Sequence, residues 1–267
     1  MQRSSAMLAG IVATLTIAIA PAAAGTFDVK GVEVTKGESE LSFDTAWQRG
    51  FPVNSDFVRQ SHETSYSYGI TTWFKLGAKI GFEQPDGEKL DASYAVVEAQ
   101  AVLINPSPTR IGVAWFTGFE VGLKQDASES LTFGPLLALS LSKDTTLLLN
   151  PLFQKSWDPS TPGVDFNYAW QVKRTINDNV AIGLEGYGVI PDIGNAPSAD
   201  FQEHRLGPVL FLSHETGGGD RGGSMKLGSK AEPDKGGGKV ELQVGVLFGF
   251  TDATPDTTGR AKLAFTW

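Results

Sequence analysis

The chain has 267 residues, of which 22 are basic and 30 acidic, so its formal net charge is −8 at pH 7. It contains no cysteine, which excludes disulfides, thiolate metal sites and cysteine nucleophiles. The acidic balance, without any basic run interleaved with aromatics, argues against a nucleic-acid partner.

The N-terminal residues have the composition of an export signal. Arg3 precedes an apolar run over residues 8–20, and small residues follow that run. The run is short for a membrane-spanning helix, which needs about 20 apolar residues, but it suits a cleaved signal peptide. We predict cleavage after Ala24, so that residues 1–24 are removed and residues 25–267 form one domain.

The rest of the chain alternates apolar and polar residues in short segments, which is the pattern of strands with one apolar face. In the last segment, the apolar residues Ala261, Leu263, Phe265 and Trp267 alternate with more polar ones. Prolines, glycines and asparagines separate the segments. The segments, about twelve in all, lie at residues 40–49, 62–70, 75–83, 95–103, 110–124, 131–141, 147–153, 164–173, 180–187, 205–212, 240–250 and 259–267.

The length and number of these segments together predict a transmembrane barrel. Most are close to the roughly 9 to 11 residues that a tilted membrane-crossing strand requires. We therefore predict an all-β fold, an antiparallel up-and-down transmembrane β-barrel of about 12 strands in the outer membrane of a Gram-negative bacterium. An even strand number places both chain ends in the periplasm and the longer connections outside the cell. A soluble periplasmic sandwich is the alternative.

Residues 214–239 interrupt the alternating pattern. They contain glycine runs at residues 217–219, 222–223 and 236–238 among mixed charges. Because this composition cannot pack a core, we predict a flexible Gly-rich insert at 214–239. A phosphate-binding loop is disfavoured, since no Gly-Lys-Ser/Thr sequence and no following helix are present.

Charged residues collect on the polar face of the predicted strands. A lysine or arginine facing lipid would cost about 2 to 4 kcal/mol near the membrane midplane, so this face must line the lumen. Acidic and basic residues are nearly balanced there, which suggests a paired network. We interpret the face as a passive pathway for small solutes, with a non-conducting structural or partner-binding barrel as the alternative. The predicted lumen-lining residues are Asp44, Glu63, Lys75, Lys79, Glu98, Arg110, Glu120, Lys124, Asp165, Lys173, Glu185, Arg205, Glu241, Arg260 and Lys262.

The histidines offer a weaker, catalytic hypothesis. His62, His204 and His214 each adjoin a glutamate, but sequence neighbours on a strand point to opposite faces and cannot share a metal ion. Ser61 and Ser213 adjoin histidines in the same unsuitable way, so a barrel hydrolase is the least favoured alternative. We therefore predict no enzymatic activity, no catalytic residue, no cofactor and no metal site.

Four segments carry a family resemblance, at residues 67–73 (SYGITTW), 168–171 (YAWQ), 206–211 (LGPVLF) and 249–256 (GFTDATPD). They resemble segments of proteobacterial outer-membrane barrels of the phenol-degradation meta-pathway type, a transporter-like family. The resemblance implies uptake of small, often apolar or aromatic compounds, and it implies outer-membrane lipid, the barrel-insertion machinery and a small-molecule solute as partners. It also implies that a terminal aromatic acts as the insertion signal, a role that falls here to Phe265 and Trp267. The family often ends in Phe where this chain has Trp.

Overall fold

The computed structural model describes residues 27–51, 57–124, 127–159, 163–216 and 237–267. The predicted signal peptide lies outside these ranges, as do residues 217–236 of the predicted insert. Within the described ranges, no helix has the length and apolar character needed to cross a membrane.

Twelve strands account for most of the described chain, with two short 3-10 helices, Ile193–Asn195 and Ala199–Phe201, in one connection. The strands are β1 (Ser39–Arg49), β2 (Val58–Gly69), β3 (Phe74–Pro85), β4 (Asp91–Ile104), β5 (Gly112–Gly122), β6 (Ser130–Ser142), β7 (Thr145–Ser156), β8 (Asp165–Asn177), β9 (Val180–Ile190), β10 (Glu203–Thr216), β11 (Gly238–Gly249) and β12 (Thr257–Thr266).

The last strand pairs with the first, which closes the sheet into a barrel. Every strand pairs antiparallel with its sequence neighbours, and β12 pairs with β1 along the closing seam. Backbone hydrogen bonds of 2.9 and 3.0 Å between Ser39 and Trp267 extend the seam to the final residue. Among the described strands, closure leaves no edge with unpaired backbone groups, as a sheet surrounded by lipid requires. The predicted antiparallel, up-and-down barrel of about 12 strands is confirmed.

Alternation along each strand separates an apolar exterior from a polar interior. On β1, Phe43 is 44% exposed on the outside, whereas its neighbour Asp44 is 5% exposed inside the barrel. The same contrast holds on β12, where Arg260 is buried between outward-facing Gly259 and Ala261. Because successive strand residues point to opposite faces, the sequence alternation translates directly into this division.

Connections differ in length between the two ends of the barrel. We call the end where β1 begins and β12 ends the terminal mouth. Four connections there are short, at residues 70–73, 105–111, 143–144 and 178–179, and the fifth contains the Gly-rich stretch. At the opposite mouth, the connections run from five residues, 86–90, to twelve, 191–202.

The predicted insert is too long at both ends. Thr216 pairs with Gly238, Glu215 with Lys239 and His214 with Val240, so residues 214–216 and 238–239 belong to β10 and β11. Backbone pairing sets the ends of these strands, because a hydrogen bond between strands satisfies a backbone group whatever side chain the residue carries. The composition of these five residues resembles a loop, yet they extend the hairpin.

Candidate functional site

Thirteen of the fifteen predicted lumen-lining residues lie on strands. They occupy the inward positions, in line with buried neighbours such as Ser42 on β1 and Gln100 on β4. Ten of the twelve strands, all but β6 and β7, therefore contribute these charges to one shared interior. These residues are Asp44, Glu63, Lys75, Lys79, Glu98, Glu120, Asp165, Lys173, Glu185, Arg205, Glu241, Arg260 and Lys262.

Arg110 and Lys124 lie in connections and not on strands, which corrects their predicted placement. The exposed guanidinium of Arg110 donates to the carbonyl oxygen of Asn105 at 2.9 and 3.2 Å, within the turn between β4 and β5. Lys124 follows the end of β5, and its carbonyl oxygen accepts the amide of Ala127. The predicted strand was longer than β5 by two residues at each end. Polar and apolar residues can go on alternating into a turn, although the backbone hydrogen bonds between strands have ended.

One group of charges joins β2, β3 and β4. The ammonium of Lys79 lies 3.1 Å from Glu63 and 3.5 Å from Glu98, and all three side chains are largely buried. The hydroxyl of Tyr94 donates to Glu63 at 3.2 Å. The paired carboxylates and the lysine thus satisfy one another inside the barrel, as buried charges require.

A second group surrounds Glu185, whose side chain is fully buried. Arg260 forms an ion pair with this carboxylate and also donates to the hydroxyl of Tyr187 at 2.8 Å. Gln171 and Tyr187 each donate to Glu185 at 2.7 Å, while Gln243 accepts from Arg260. The group links four strands, β8, β9, β11 and β12, so it ties one side of the barrel together.

Arg205 on β10 and Lys173 on β8 are the basic centres of two further groups. Arg205 pairs with Glu203 and donates to Gln48 at 2.9 Å. Lys173 lies 3.8 Å from Glu241 and 4.4 Å above the ring centre of Phe211. These cross-strand polar groups make up the charged part of the interior.

The segment before β1 lies inside the barrel, a position that the sequence pattern did not predict. We call residues 27–38 the lumen segment. Asn150 on β7 holds it at Lys30 by two hydrogen bonds: the Lys30 amide donates to Asn150 Oδ1 at 2.7 Å, and Asn150 Nδ2 donates to the Lys30 carbonyl oxygen at 3.0 Å. On the other side, Gln100 Nε2 donates to the carbonyl oxygens of Gly31 and Val32, both at 3.0 Å.

Val32 anchors the lumen segment in an apolar pocket. Its side chain is 1% exposed and packs in a cluster contributed by β4, β5 and β6. Val34, two residues further on, packs against the same cluster. Alternate residues of the segment thus meet the wall, as in an extended chain. The other buried members of the cluster are Val102, Ala114, Phe116, Leu136 and Ala138.

Ion pairs and aromatic contacts hold residues 27–30, the N-terminal part of the lumen segment. Asp28 accepts from Lys262 on β12 at 3.0 Å, and Lys30 lies 3.1 Å from Glu98 on β4. Phe27 makes an edge contact with Tyr187 at 5.2 Å between ring centres, and the guanidinium of Arg205 lies 4.6 Å above the Phe27 ring. The segment therefore touches opposite sides of the barrel.

Gly69, at the end of β2, receives the base of the lumen segment at the terminal mouth. The amide of Gly37 donates to the carbonyl oxygen of Gly69 at 2.7 Å, and the amide of Gly69 donates to that of Glu38 at 2.9 Å. A Cβ added at Gly69 would overlap the carbonyl oxygen of Thr35, so glycine permits this approach.

Little space is left beside the lumen segment at the terminal mouth. A cavity of about 20 Å³, room for about one water, lies between Thr35, Glu38, Ser67 and Lys75. Burial raises the pKa of Glu38, and the negative charge of Glu40 raises that pKa further. In the described part of the chain, the segment and wall side chains such as Ser67 and Lys75 together occupy this end of the lumen.

A signal for the lumen segment was present in the sequence but was short. Asp28, Lys30, Val32 and Val34 alternate with other residues in the same way as the strands do. The alternation changes from charged to apolar along the segment, so it resembles neither a strand with one apolar face nor a flexible leader. Only the structure shows that the charged residues and the apolar residues of the segment both have partners on the barrel wall.

His62, His204 and Ser213, three residues of the hydrolase hypothesis, form hydrogen bonds with other groups in the structure. His62 Nδ1 forms a 2.8 Å hydrogen bond with Thr45 Oγ1 on the outer face, whereas Ser61 is buried on the inner face. Ser213 donates to the carbonyl oxygen of Asp178 at 3.1 Å. His204 Nδ1 bonds the hydroxyl of Tyr168 at 2.8 Å. Among the described residues, no group of three or more His, Cys, Asp or Glu is arranged to hold a metal ion.

The closed twelve-strand sheet, apolar outside and charged inside, has the architecture of bacterial outer-membrane barrels. No protein-family model and no curated protein matches the chain. Among solved structures, the chain is similar to an outer membrane channel from Pseudomonas putida F1, with a TM-score of 0.57, 11% identity, and coverage of 90% of this chain and 98% of that chain. It is also similar to the NanC porin, with a TM-score of 0.49, 10% identity, and coverage of 85% and 98% respectively. The likeness to the Pseudomonas putida channel shows a shared fold.

Proposed function

We propose that the protein is an outer-membrane channel through which small solutes pass passively. The observation that carries the proposal is that the wall side chains leave enough room for the lumen segment, residues 27–38, to lie inside the barrel. A barrel built only as a structural element would fill that space with its own side chains. The wall instead presents charges and amides to an extended chain, and an extended chain has the width of a small solute.

The same architecture supports our proposals for the location and the partners. An apolar exterior suits outer-membrane lipid, and a C-terminal aromatic pair, Phe265 and Trp267, suits recognition by the barrel-insertion machinery. We propose that residues 1–24 direct export and are removed. We propose no enzymatic activity and no nucleic-acid partner for the chain.

The resemblance to meta-pathway barrels favours small apolar or aromatic solutes. An apolar pocket on the lumen wall, which holds Val32, supports the apolar part of that expectation. The polar groups around it, Gln100 and Asn150 among them, favour a solute that also carries hydrogen-bonding groups. We therefore propose a small solute with both characters.

A non-conducting structural or partner-binding barrel is the second candidate. The contacts of the lumen segment with several strands favour it, because a segment held so firmly closes the pathway. The two candidates differ in whether the segment can leave the lumen without unfolding the barrel.

Single-channel conductance of the refolded mature protein in planar bilayers tests the proposal. Val32→Asp places a charge in the apolar pocket and should expel the lumen segment, so this variant should conduct in steps larger than those of the wild type. Adding Glu98→Gln should then change the ion selectivity, since Glu98 faces the lumen. Arg110→Ala is the matched control and should change nothing, because Arg110 lies in a turn. Folded variants that never conduct would support the structural barrel.

A further inference from the structure

The lumen wall contains a binding site for an extended peptide, we propose, and the lumen segment is its built-in occupant. The inference rests on the proposed channel function and names the class of solute: short peptides in extended conformation. In the order of residues 28, 30 and 32, the site accepts an acidic, a basic and an apolar side chain, each two positions from the next. Each of these preferences comes from separate wall contacts.

Two wall side chains recognise the peptide backbone itself. Asn150 accepts from the amide and donates to the carbonyl oxygen of one residue, Lys30. This pairing copies what a neighbouring β-strand does for an extended chain. Gln100 donates to two successive carbonyl oxygens, those of Gly31 and Val32. Such contacts are available to any peptide whatever its side chains, and main-chain bonds of this kind supply affinity in other peptide-binding proteins.

Three wall pockets recognise alternate side chains. Lys262 receives the carboxylate of Asp28, and Glu98 receives the ammonium of Lys30, which also lies 4.8 Å above the ring centre of Phe116. The cluster around Val32 receives the apolar side chain. Alternate residues of an extended chain point the same way, so a single linear peptide can fill all three pockets at once.

Departure of the lumen segment would remove partners from several wall groups. The carboxamides of Gln100 and Asn150 and the charged groups of Glu98 and Lys262 would lose contacts that they now make inside the barrel. A solute that restores the lost bonds is favoured over one that does not. A peptide restores all of them, whereas a hydrocarbon restores none.

A tethered occupant competes with free peptide by its effective concentration. A short tether keeps a segment near its site at an effective concentration of about millimolar. The hydrogen bond between Gly37 and Gly69 keeps the base of the segment in place while a free peptide replaces residues 27–34 in the site. Free peptide should therefore bind the wild type more weakly than a variant whose own segment is expelled.

The test uses the full chain with Val32→Asp and, as an independent variant, Lys30→Glu, which places a carboxylate beside Glu98. Heat-modifiable migration first shows that each variant retains a closed barrel. The probe is a synthetic octapeptide with the sequence of residues 27–34, labelled with a fluorophore at its C-terminal end. Binding is measured by fluorescence anisotropy and block by single-channel recording, so the two readouts do not depend on each other.

We expect the octapeptide to bind both variants and to block their conductance. An octapeptide with aspartate at the position of Val32, and one with the Asp28 and Lys30 positions exchanged, should each bind about tenfold more weakly or worse. Adding Asn150→Ala or Gln100→Ala to the channel should weaken binding of the octapeptide by a similar factor. Adding Arg110→Ala, the control, should leave binding unchanged.

Two results separate this inference from the proposed function. Variants that conduct but neither bind nor are blocked by the octapeptide would overturn the peptide site and leave the channel intact. Variants that bind the octapeptide but never conduct would support the site and overturn the channel. Equal binding of the original and charge-exchanged peptides would also overturn the inference as stated, because it would remove the side-chain preference.

Discussion

The carboxamide of Asn150 holds the backbone of Lys30, 120 residues away in the chain, by both of its ends. The contact joins a central strand position on β7 to a segment that precedes the first strand. It shows that the barrel interior is built to hold an extended chain, and it explains why an uncharged asparagine is buried among lumen residues. This one side chain should therefore contribute measurably to holding the lumen segment in place.

Asn150→Ala should loosen the lumen segment without opening the barrel. Two hydrogen bonds of about 1 kcal/mol each are lost, so the segment should leave its site roughly thirty times more often. Because the chain has no cysteine, Val32→Cys supplies a single reporter thiol whose maleimide labelling rate can be measured. Asn167→Ala is the matched control, since Asn167 donates to Gln154 and not to the segment. Equal labelling in both backgrounds would contradict the role of Asn150.

Glu185→Gln should destabilise the barrel strongly. The carboxylate is fully buried with Arg260, and breaking a buried pair by neutralising one partner costs about 3 to 5 kcal/mol. The measurement is urea unfolding of the protein folded into lipid vesicles. Lys143→Ala serves for comparison, because the Lys143 and Asp144 side chains are exposed and their pair should contribute less than about 1 kcal/mol. Similar losses in the two variants would show that the Glu185 group does not tie the strands together.

Gly69→Ala should displace the base of the lumen segment. The added methyl group would overlap the carbonyl oxygen of Thr35, so either the segment or β2 must shift. We expect faster maleimide labelling at Val32→Cys and a higher single-channel conductance than in the wild type. Gly259→Ala is the control, because a Cβ there meets no atom within 4 Å. Unchanged labelling and conductance in Gly69→Ala would show that the segment is not held at this point.

Val97→Lys should destabilise the protein in a bilayer. Val97 is on the outer face at the middle of β4, and a lysine near the membrane midplane costs about 2 to 4 kcal/mol. Urea unfolding from lipid vesicles measures the change. Leu90→Lys is the matched control, since Leu90 is an exposed apolar residue in the connection before β4 and should change stability by less than about 0.5 kcal/mol. Equal effects at the two positions would argue against a membrane around the barrel.

Local alternation alone was enough to predict the fold. A period of two residues, repeated in about twelve segments, assigns strands, and a strand with charges on one face and aromatics on the other must place the charges away from lipid. Phe43 and Asp44 illustrate the point, because their types alone place one outside and the other inside. Errors occurred where the pattern met a turn, at Arg110 and Lys124, since side-chain order does not reveal where backbone pairing stops.

The sequence by itself determined the strands, their faces and the closed sheet. The strands and their faces depend on the residue types at every second position, and closure depends on the number of strands. Only the tertiary structure decided what the lumen contains. Residues 27–38 contain too few apolar residues for their sequence to predict a buried segment. Their partners Gln100, Asn150 and Lys262 lie on three different strands, far away in the chain. Contacts of that kind depend on the register of all twelve strands together, which residue order does not display.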